Sequence, residues 1–243
     1  MASGPVLHSN AKGRRGAVVV TGTERLPDGR RAGFWLSEVA YVWRDLRQAG
    51  WEVLFVCPRA GPSAPGAIDR SDPVQRAFLR DPVARECMQD TISPAACHGP
   101  DFAMVVFAGG AGALYDFPFD VDLREFTTDA AQAGAILGAC GHGVAGLVNV
   151  SAQAGTPVLA GRSVTAPSPA EDHALDLDDP PIDLRTALAS AGASLSFGDP
   201  FRSHVVGDGR IVTGQNPATA PDFARVLLSA TTVLSRADET AMT

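Results

Sequence analysis

Four short apolar runs, each ending at glycine or at a proline corner, constrain this chain more than any other feature. They are Ala17-Val-Val-Val-Thr-Gly22, Glu52-Val-Leu-Phe-Val-Cys57 before Pro58, Phe102-Ala-Met-Val-Val-Phe-Ala108 before Gly109-Gly110, and Ala135-Ile-Leu-Gly-Ala139 before Cys140-Gly141. Continuous apolar runs of this length read as strands buried on both faces. Helical stretches separate them. Between Gly33 and Gly50 the residues Trp35, Leu36, Val39, Trp43 and Leu46 form one stripe, closed by Gly50. Residues 74–88 read as a helix despite Pro82, and 121–133 as another. Strands alternating with helices imply right-handed βαβ units. The expected fold class is therefore α/β, a three-layer sandwich with a mostly parallel sheet and helices on both faces. Ligands of such sheets bind beyond the carboxyl ends of the strands, here Thr21-Gly22, Gly109-Gly110 and Cys140-Gly141.

At 243 residues, 45% hydrophobic and 19% charged, the chain can bury one sizeable core. Residues 1–15, with the Lys12-Gly-Arg-Arg15 cluster, read as a flexible leader, and 16–243 as a single domain. Past the fourth strand the sequence suggests a short pair (158–160 with 162–165), an acidic Pro-rich loop from 166 to 183, and a helix over 182–191. A β-hairpin turning at Asp208-Gly209 and a last helix over about 221–236 complete the chain. A net charge of −7 argues against nucleic acid and anionic membrane surfaces as partners. No apolar run is long enough to span a membrane and no signal peptide is recognisable, so a cytoplasmic protein is expected. The four cysteines form no C-x-x-C pair and have no histidine at ligand spacing, which leaves no metal site and no cofactor expected.

The chemistry concentrates in Ile136-Leu-Gly-Ala-Cys-Gly-His-Gly-Val-Ala-Gly-Leu147, an apolar strand running into a Gly-rich corner and then a helix. It reads as a nucleophile elbow, in which one residue sits on a strained turn and the following amides face a developing oxyanion. The apex is Gly141, with Gly143 two positions on, and the thiol of Cys140 falls one residue early. A residue before the apex points into the sheet packing, so Cys140 reads more readily as an inert core thiol than as a nucleophile. Gly109-Gly110-Ala111-Gly112 is either an oxyanion-binding loop or a strand-ending turn. Glu38, at the edge of the first helix's apolar stripe, is either a solvated carboxylate or a partly buried proton donor or base with a raised pKa. His142 either polarises a substrate or is a structural histidine bonded to Glu171 or Asp172.

These residues, in this order, resemble the ThiJ/PfpI superfamily, in its longer branch of glyoxalase III, deglycase and stress-chaperone proteins related to class I glutamine amidotransferases. The resemblance runs from about Ala17 to Leu228. It is carried by Gly33-Phe-Trp-Leu-Ser-Glu38, Gly50-Trp-Glu-Val-Leu-Phe-Val-Cys-Pro58, Phe107-Ala-Gly-Gly-Ala-Gly-Ala113 with Asp116 and Pro118, the elbow, Gly161-Arg-Ser-Val-Thr165, and Asp208-Gly-Arg-Ile-Val-Thr-Gly-Gln-Asn-Pro217. It implies a flavodoxin-like fold. The family's helix glutamate falls on Glu38, its elbow histidine on His142, and that histidine's acidic partner on Asp172 or Glu171. Its nucleophilic cysteine falls on Gly141, its common histidine on Ala111, and its common proline on Val144.

Losing the apex thiol removes the hemithioacetal route that the resemblance implies, and the two small residues, Gly141 and Ala111, imply room for a larger substrate. Glu38, His142 and the amides of Gly110 and His142 remain. The leading expectation is thus a cofactor-free enzyme of the lyase, hydratase or hydrolase type acting on a small carbonyl compound by Glu/His acid–base chemistry. Two alternatives stand beside it: glyoxalase III or deglycase chemistry through an exposed Cys140, and a non-catalytic holdase or binding protein. The resemblance also implies a possible homodimer.

Overall fold

The computed structural model describes residues 14–241, except residue 178 and the side chains from 233 onward. The expected leader therefore lies almost wholly outside the described residues. In chain order the strands are β1 (Arg15–Val19), β2 (Phe34–Trp35), β3 (Glu52–Val56), β4 (Pro65–Ala67), β5 (Met104–Phe107), β6 (Ile136–Cys140), β7 (Ser163–Val164), β8 (Ser194–Leu195), β9 (Val205–Asp208) and β10 (Ile211–Gly214). The helices are α1 (Leu36–Gln48), α2 (Pro73–Arg80), α3 (Pro82–Gln89), α4 (Ala113–Asp116), α5 (Val121–Gln132), α6 (Pro169–Ala174), α7 (Leu184–Ser190) and α8 (Ala220–Ala241).

Six strands form the central sheet in the order β3-β1-β5-β6-β10-β9, parallel throughout except for the β9–β10 hairpin. Side chains alternate across it, as the pleat requires. Leu137 and Ala139 of β6 pack with Leu123, Phe126 and Ala130 of α5, and Ile136 and Cys140 pack on the opposite face with α1 and α8. Gly138 keeps that second face thin, since a Cβ there would lie 2.7 Å from Leu227 of α8. Helices thus cover both faces of a mostly parallel sheet, the fold class the sequence suggested.

Three local expectations need correction. The helix read over 74–88 is two helices, because Asp81, with ψ at 117°, ends α2 and caps α3 through its carboxylate, with Pro82 opening the second helix. Proline forces its predecessor out of the helical region. The helix expected after the elbow is present as a 3-10 helix, Gly141–Leu147. Residues 158–160 do not pair with 162–165, and β7 instead pairs in parallel with β8. The acidic Pro-rich loop contains α6, capped by Ser168 with Glu171 reciprocating. Ser168-Pro-Ala-Glu171 is the capping-box pattern with proline at the first helical position, so this helix was readable in the sequence.

The strand ends converge on backbone that only glycine can supply. Gly110 has φ at +139°, and a Cβ there would sit 2.0 Å from the Gly33 carbonyl. Asp116 fastens the neighbouring turn, its Oδ2 accepting from Thr21 Oγ1 at 2.6 Å and from the Gly22 amide at 2.8 Å. Gly29 also has a positive φ, +84°, but nothing lies within 4 Å of its added Cβ. In urea denaturation Gly29→Ala should cost about 1 kcal/mol from backbone strain alone. Gly110→Ala, with strain and a backbone clash together, should cost about 3 kcal/mol or more.

Candidate active site

The apex of the elbow is Gly141, at φ +54°, the left-handed conformation expected of the strained residue. A Cβ at this position would lie 3.0 Å from Oε1 of Glu38. Glu38 is in the first turn of α1 and is almost completely buried. Its Oε2 accepts the Gly109 amide at 2.5 Å, while Oε1 is buried with no hydrogen bond. Burial pushes this carboxyl up to about 7, against the opposing pull of the Gly109 amide and the Cys140 thiol. Of the two readings left open for Glu38, the geometry is that of the buried carboxyl.

Cys140, as the last residue of β6, faces the α1/α8 side of the sheet. Its thiol is fully buried and lies 3.5 Å from the Asn216 carbonyl. Burial and the neighbouring Glu38 carboxylate raise its pKa well above that of a free thiol. A buried, protonated thiol is neither accessible nor nucleophilic. The exposure that glyoxalase chemistry at Cys140 would need is absent.

His142 follows the apex and is also buried. Its Nε2 lies 2.8 Å from Oδ1 of Asp172, whose Oδ2 accepts from Arg185 at 2.5 Å. Burial works to raise the Asp172 pKa, but His142 and Arg185 together hold it below the usual value. An ionised carboxylate only accepts, so Nε2 of His142 carries the hydrogen and Nδ1 is the nitrogen left for other work. Asp172, not Glu171, is therefore the histidine's partner. Glu171 is buried one residue away and spends both oxygens elsewhere. Oε2 accepts from the Ser168 amide, the Ser168 hydroxyl and Gln215 Nε2, and Oε1 from the Phe201 amide and Asn216 Nδ2.

A cavity of about 160 Å³ opens between α1, the apex and α6, walled by Trp35, Glu38, Gly141, His142 and Glu171 together with Phe201 and Pro217. A void of that size holds about six to ten non-hydrogen atoms, since benzene occupies one of about 150 Å³. Gly110 and Ala111 line a separate hollow of about 140 Å³ on the other side of Trp35. Gly109 lies beneath, holding Glu38, and Gly143 packs against the Phe107 carbonyl, 2.5 Å from where its Cβ would be. The glycine loop thus acts chiefly on Glu38. Trp35, Arg185, Phe201 and Asn216 were not singled out as site residues from sequence. Trp35, within Gly33-Phe-Trp-Leu-Ser-Glu38, and Asn216, just before Pro217, carried a signal through motifs of the family resemblance, whereas Arg185 and Phe201 carried none.

No group of three or more metal-ligating side chains occurs among the described residues. No helix among them is long and apolar enough to cross a membrane.

The profile of the DJ-1/PfpI family matches residues 31–230. Similar proteins include the glutathione-independent glyoxalase HSP31 of Saccharomyces cerevisiae, 23% identical over 81% of this chain and 88% of the relative. The glutathione-independent glyoxalase hsp3102 of Schizosaccharomyces pombe is 28% identical over 84% of this chain and 91% of its own. Among solved structures, glyoxalase III of Candida albicans superposes with a TM-score of 0.81 at 20% identity, covering 89% of this chain and 97% of that one, a likeness of fold. Rapid Encystment Protein 24 KDa of Francisella tularensis gives 0.83 at 26% identity, with 89% and 98% covered. With a family profile spanning most of its length and these neighbours in sequence and fold, the chain belongs to the DJ-1/PfpI family.

Proposed function

We propose that this protein is a glyoxalase-type enzyme that converts the hydrate of a small 2-oxoaldehyde to a 2-hydroxy acid by proton transfer, with Glu38 as base and then acid. The observation that carries this reading is the unpartnered Oε1 of Glu38, buried beside a glycine apex at the wall of a small cavity. The relatives' names favour a glyoxalase substrate over a general lyase or hydrolase. The burial of Cys140 speaks against a thiol route.

The hydrate R–CO–CH(OH)₂ and the acid R–CH(OH)–COOH are isomers, so no redox partner is needed. Glu38 removes the proton from C1, the C–H electron pair becomes the C1=C2 bond, and the C2 oxygen takes the negative charge. The amides of Gly141 and His142 open the 3-10 helix, where no intrahelical acceptor exists, and suit that oxyanion. Glu38 then returns the proton to C2 while a hydroxyl proton leaves C1 for the C2 oxygen, which completes the carboxyl and the alcohol. His142, held by Asp172, is oriented to pass that second proton through Nδ1. A carboxyl with a pKa of about 7 can both accept and release a proton near neutral pH, which a free glutamate does poorly.

Methylglyoxal consumption by the wild type, followed as lactate formed, should fall at least about 100-fold in Glu38→Gln and survive in Cys140→Ala. The opposite pattern, or no turnover by the wild type, would overturn the reading. The rate should rise with pH and level off above about 7, as Glu38 ionises.

The same carboxyl gives a stability test. Its folded pKa of about 7 exceeds the ordinary 4.5, so the folded state holds this proton more tightly. The protonated form's advantage is complete below about 4.5 and is lost as pH rises through about 7, a decline on the order of 3 kcal/mol. In chemical denaturation at a series of pH values, Glu38→Gln should remove that decline.

A further inference from the structure

Phe201 has φ at +58°, in the left-handed region, and half of its surface is exposed. Both features are unfavourable for an aromatic residue, and glycine or asparagine would occupy such a turn at lower cost. Three buried polar side chains nevertheless hold the loop in place. Glu171 Oε1 accepts the Phe201 amide at 2.8 Å. Gln215 Oε1 accepts the Gly198 amide at 2.8 Å, and Asn216 Nδ2 donates to the Arg202 carbonyl at 2.8 Å. Gln215 and Asn216 also donate to Glu171, at 3.0 and 2.7 Å, so the three act as one bracket. A buried network of this kind rigidifies what it touches only because every member is satisfied. Its bonds converge on residues 198–202, and Phe201 is the member of that loop that lines the cavity beside Glu38 and Gly141.

Backbone strain that persists in a half-exposed aromatic, fixed by buried polar groups, marks a ligand clamp better than it marks a fold requirement. Trp35, Leu175 and Pro217 line the same cavity and give it an apolar character away from Glu38. We propose that Phe201 is the specificity-determining wall of this cavity, selecting 2-oxoaldehydes whose substituent is apolar and ring-sized, and that Glu171, Gln215 and Asn216 are the residues that position it. This rests on the proton-transfer reading above for the reaction but not for the binding preference. A substituent seated against Phe201 covers its exposed face and gains a ring contact worth up to about 1.5 kcal/mol beyond buried area.

The experiment compares phenylglyoxal with methylglyoxal as substrates, and titrates the corresponding 2-hydroxy acids, mandelate and lactate, by calorimetry. The wild type should favour phenylglyoxal roughly tenfold in kcat/KM through KM, and bind mandelate roughly tenfold tighter than lactate. Phe201→Gly removes the ring and relieves the left-handed strain, so it should be as stable as the wild type, and both preferences should collapse to near one. Phe201→Leu, which retains apolar bulk, should restore part of each. Equal mandelate affinity in the wild type and Phe201→Gly, or no mandelate preference in the wild type, would overturn the proposal. If neither aldehyde is consumed, the proton-transfer reading fails and the mandelate titrations alone decide the role of Phe201.

Discussion

A carboxyl group held out of water organises this end of the molecule. Glu38 is enclosed by backbone that approaches closely because it is glycine: Gly109 donates to its Oε2, where a Cβ would lie 2.9 Å away, and Gly141 leaves the space in front of it. Burying a charge without a counter-charge is costly, and the structure meets that cost by letting the group hold its proton near neutrality. The helix that carries Glu38 lies against the same sheet face as Cys140 and α8, so the carboxyl is fixed by the core and not by a loop. The strand order β5-β6-β10 sets the Gly109 turn and the elbow side by side, with Asn216 following immediately.

The adjacent carboxylates Glu171 and Asp172 show how neighbouring residues in one helix can serve different ends. Asp172, partly exposed, is ionised between His142 and Arg185 and determines which nitrogen of the imidazole carries hydrogen. Glu171 is turned by the helix toward β10 and the 198–202 loop, where it accepts five hydrogen bonds. One orients the imidazole of His142 and the other fixes the 198–202 loop. The capping box that begins α6 sets both directions at once, because it fixes where that short helix starts.

Much of the framework was legible from hydrophobic pattern. The four buried runs became β1, β3, β5 and β6 within a few residues, and the Asp208-Gly209 hairpin became β9 and β10. These are elements whose burial dictates their composition. Glu38, Gly141 and His142 could be placed at one cleft because strand ends and the parallel rule bring them together. What escaped was decided by local backbone chemistry or by distant partners. The break at Pro82 depends on Asp81 capping α3, and α6 hid in a loop-like composition although its cap was written in Ser168-Pro-Ala-Glu171. Phe201 reaches the cavity only through a turn whose left-handed residue is held by a glutamate 30 positions earlier, and no periodicity encodes such a contact.

The glycine apex also bears on how the protein meets oxidants. None of the described residues lining the Glu38 cavity contains sulfur, and the neighbouring thiol, Cys140, is fully buried on the same sheet face as the Glu38 helix, where burial and the carboxylate keep it protonated. Peroxides and electrophiles act on accessible thiolates. If the proposed proton transfer by Glu38 and His142 is the chemistry of this site, it offers them no such target and would persist under conditions that convert an apex cysteine to its sulfenic or sulfinic acid.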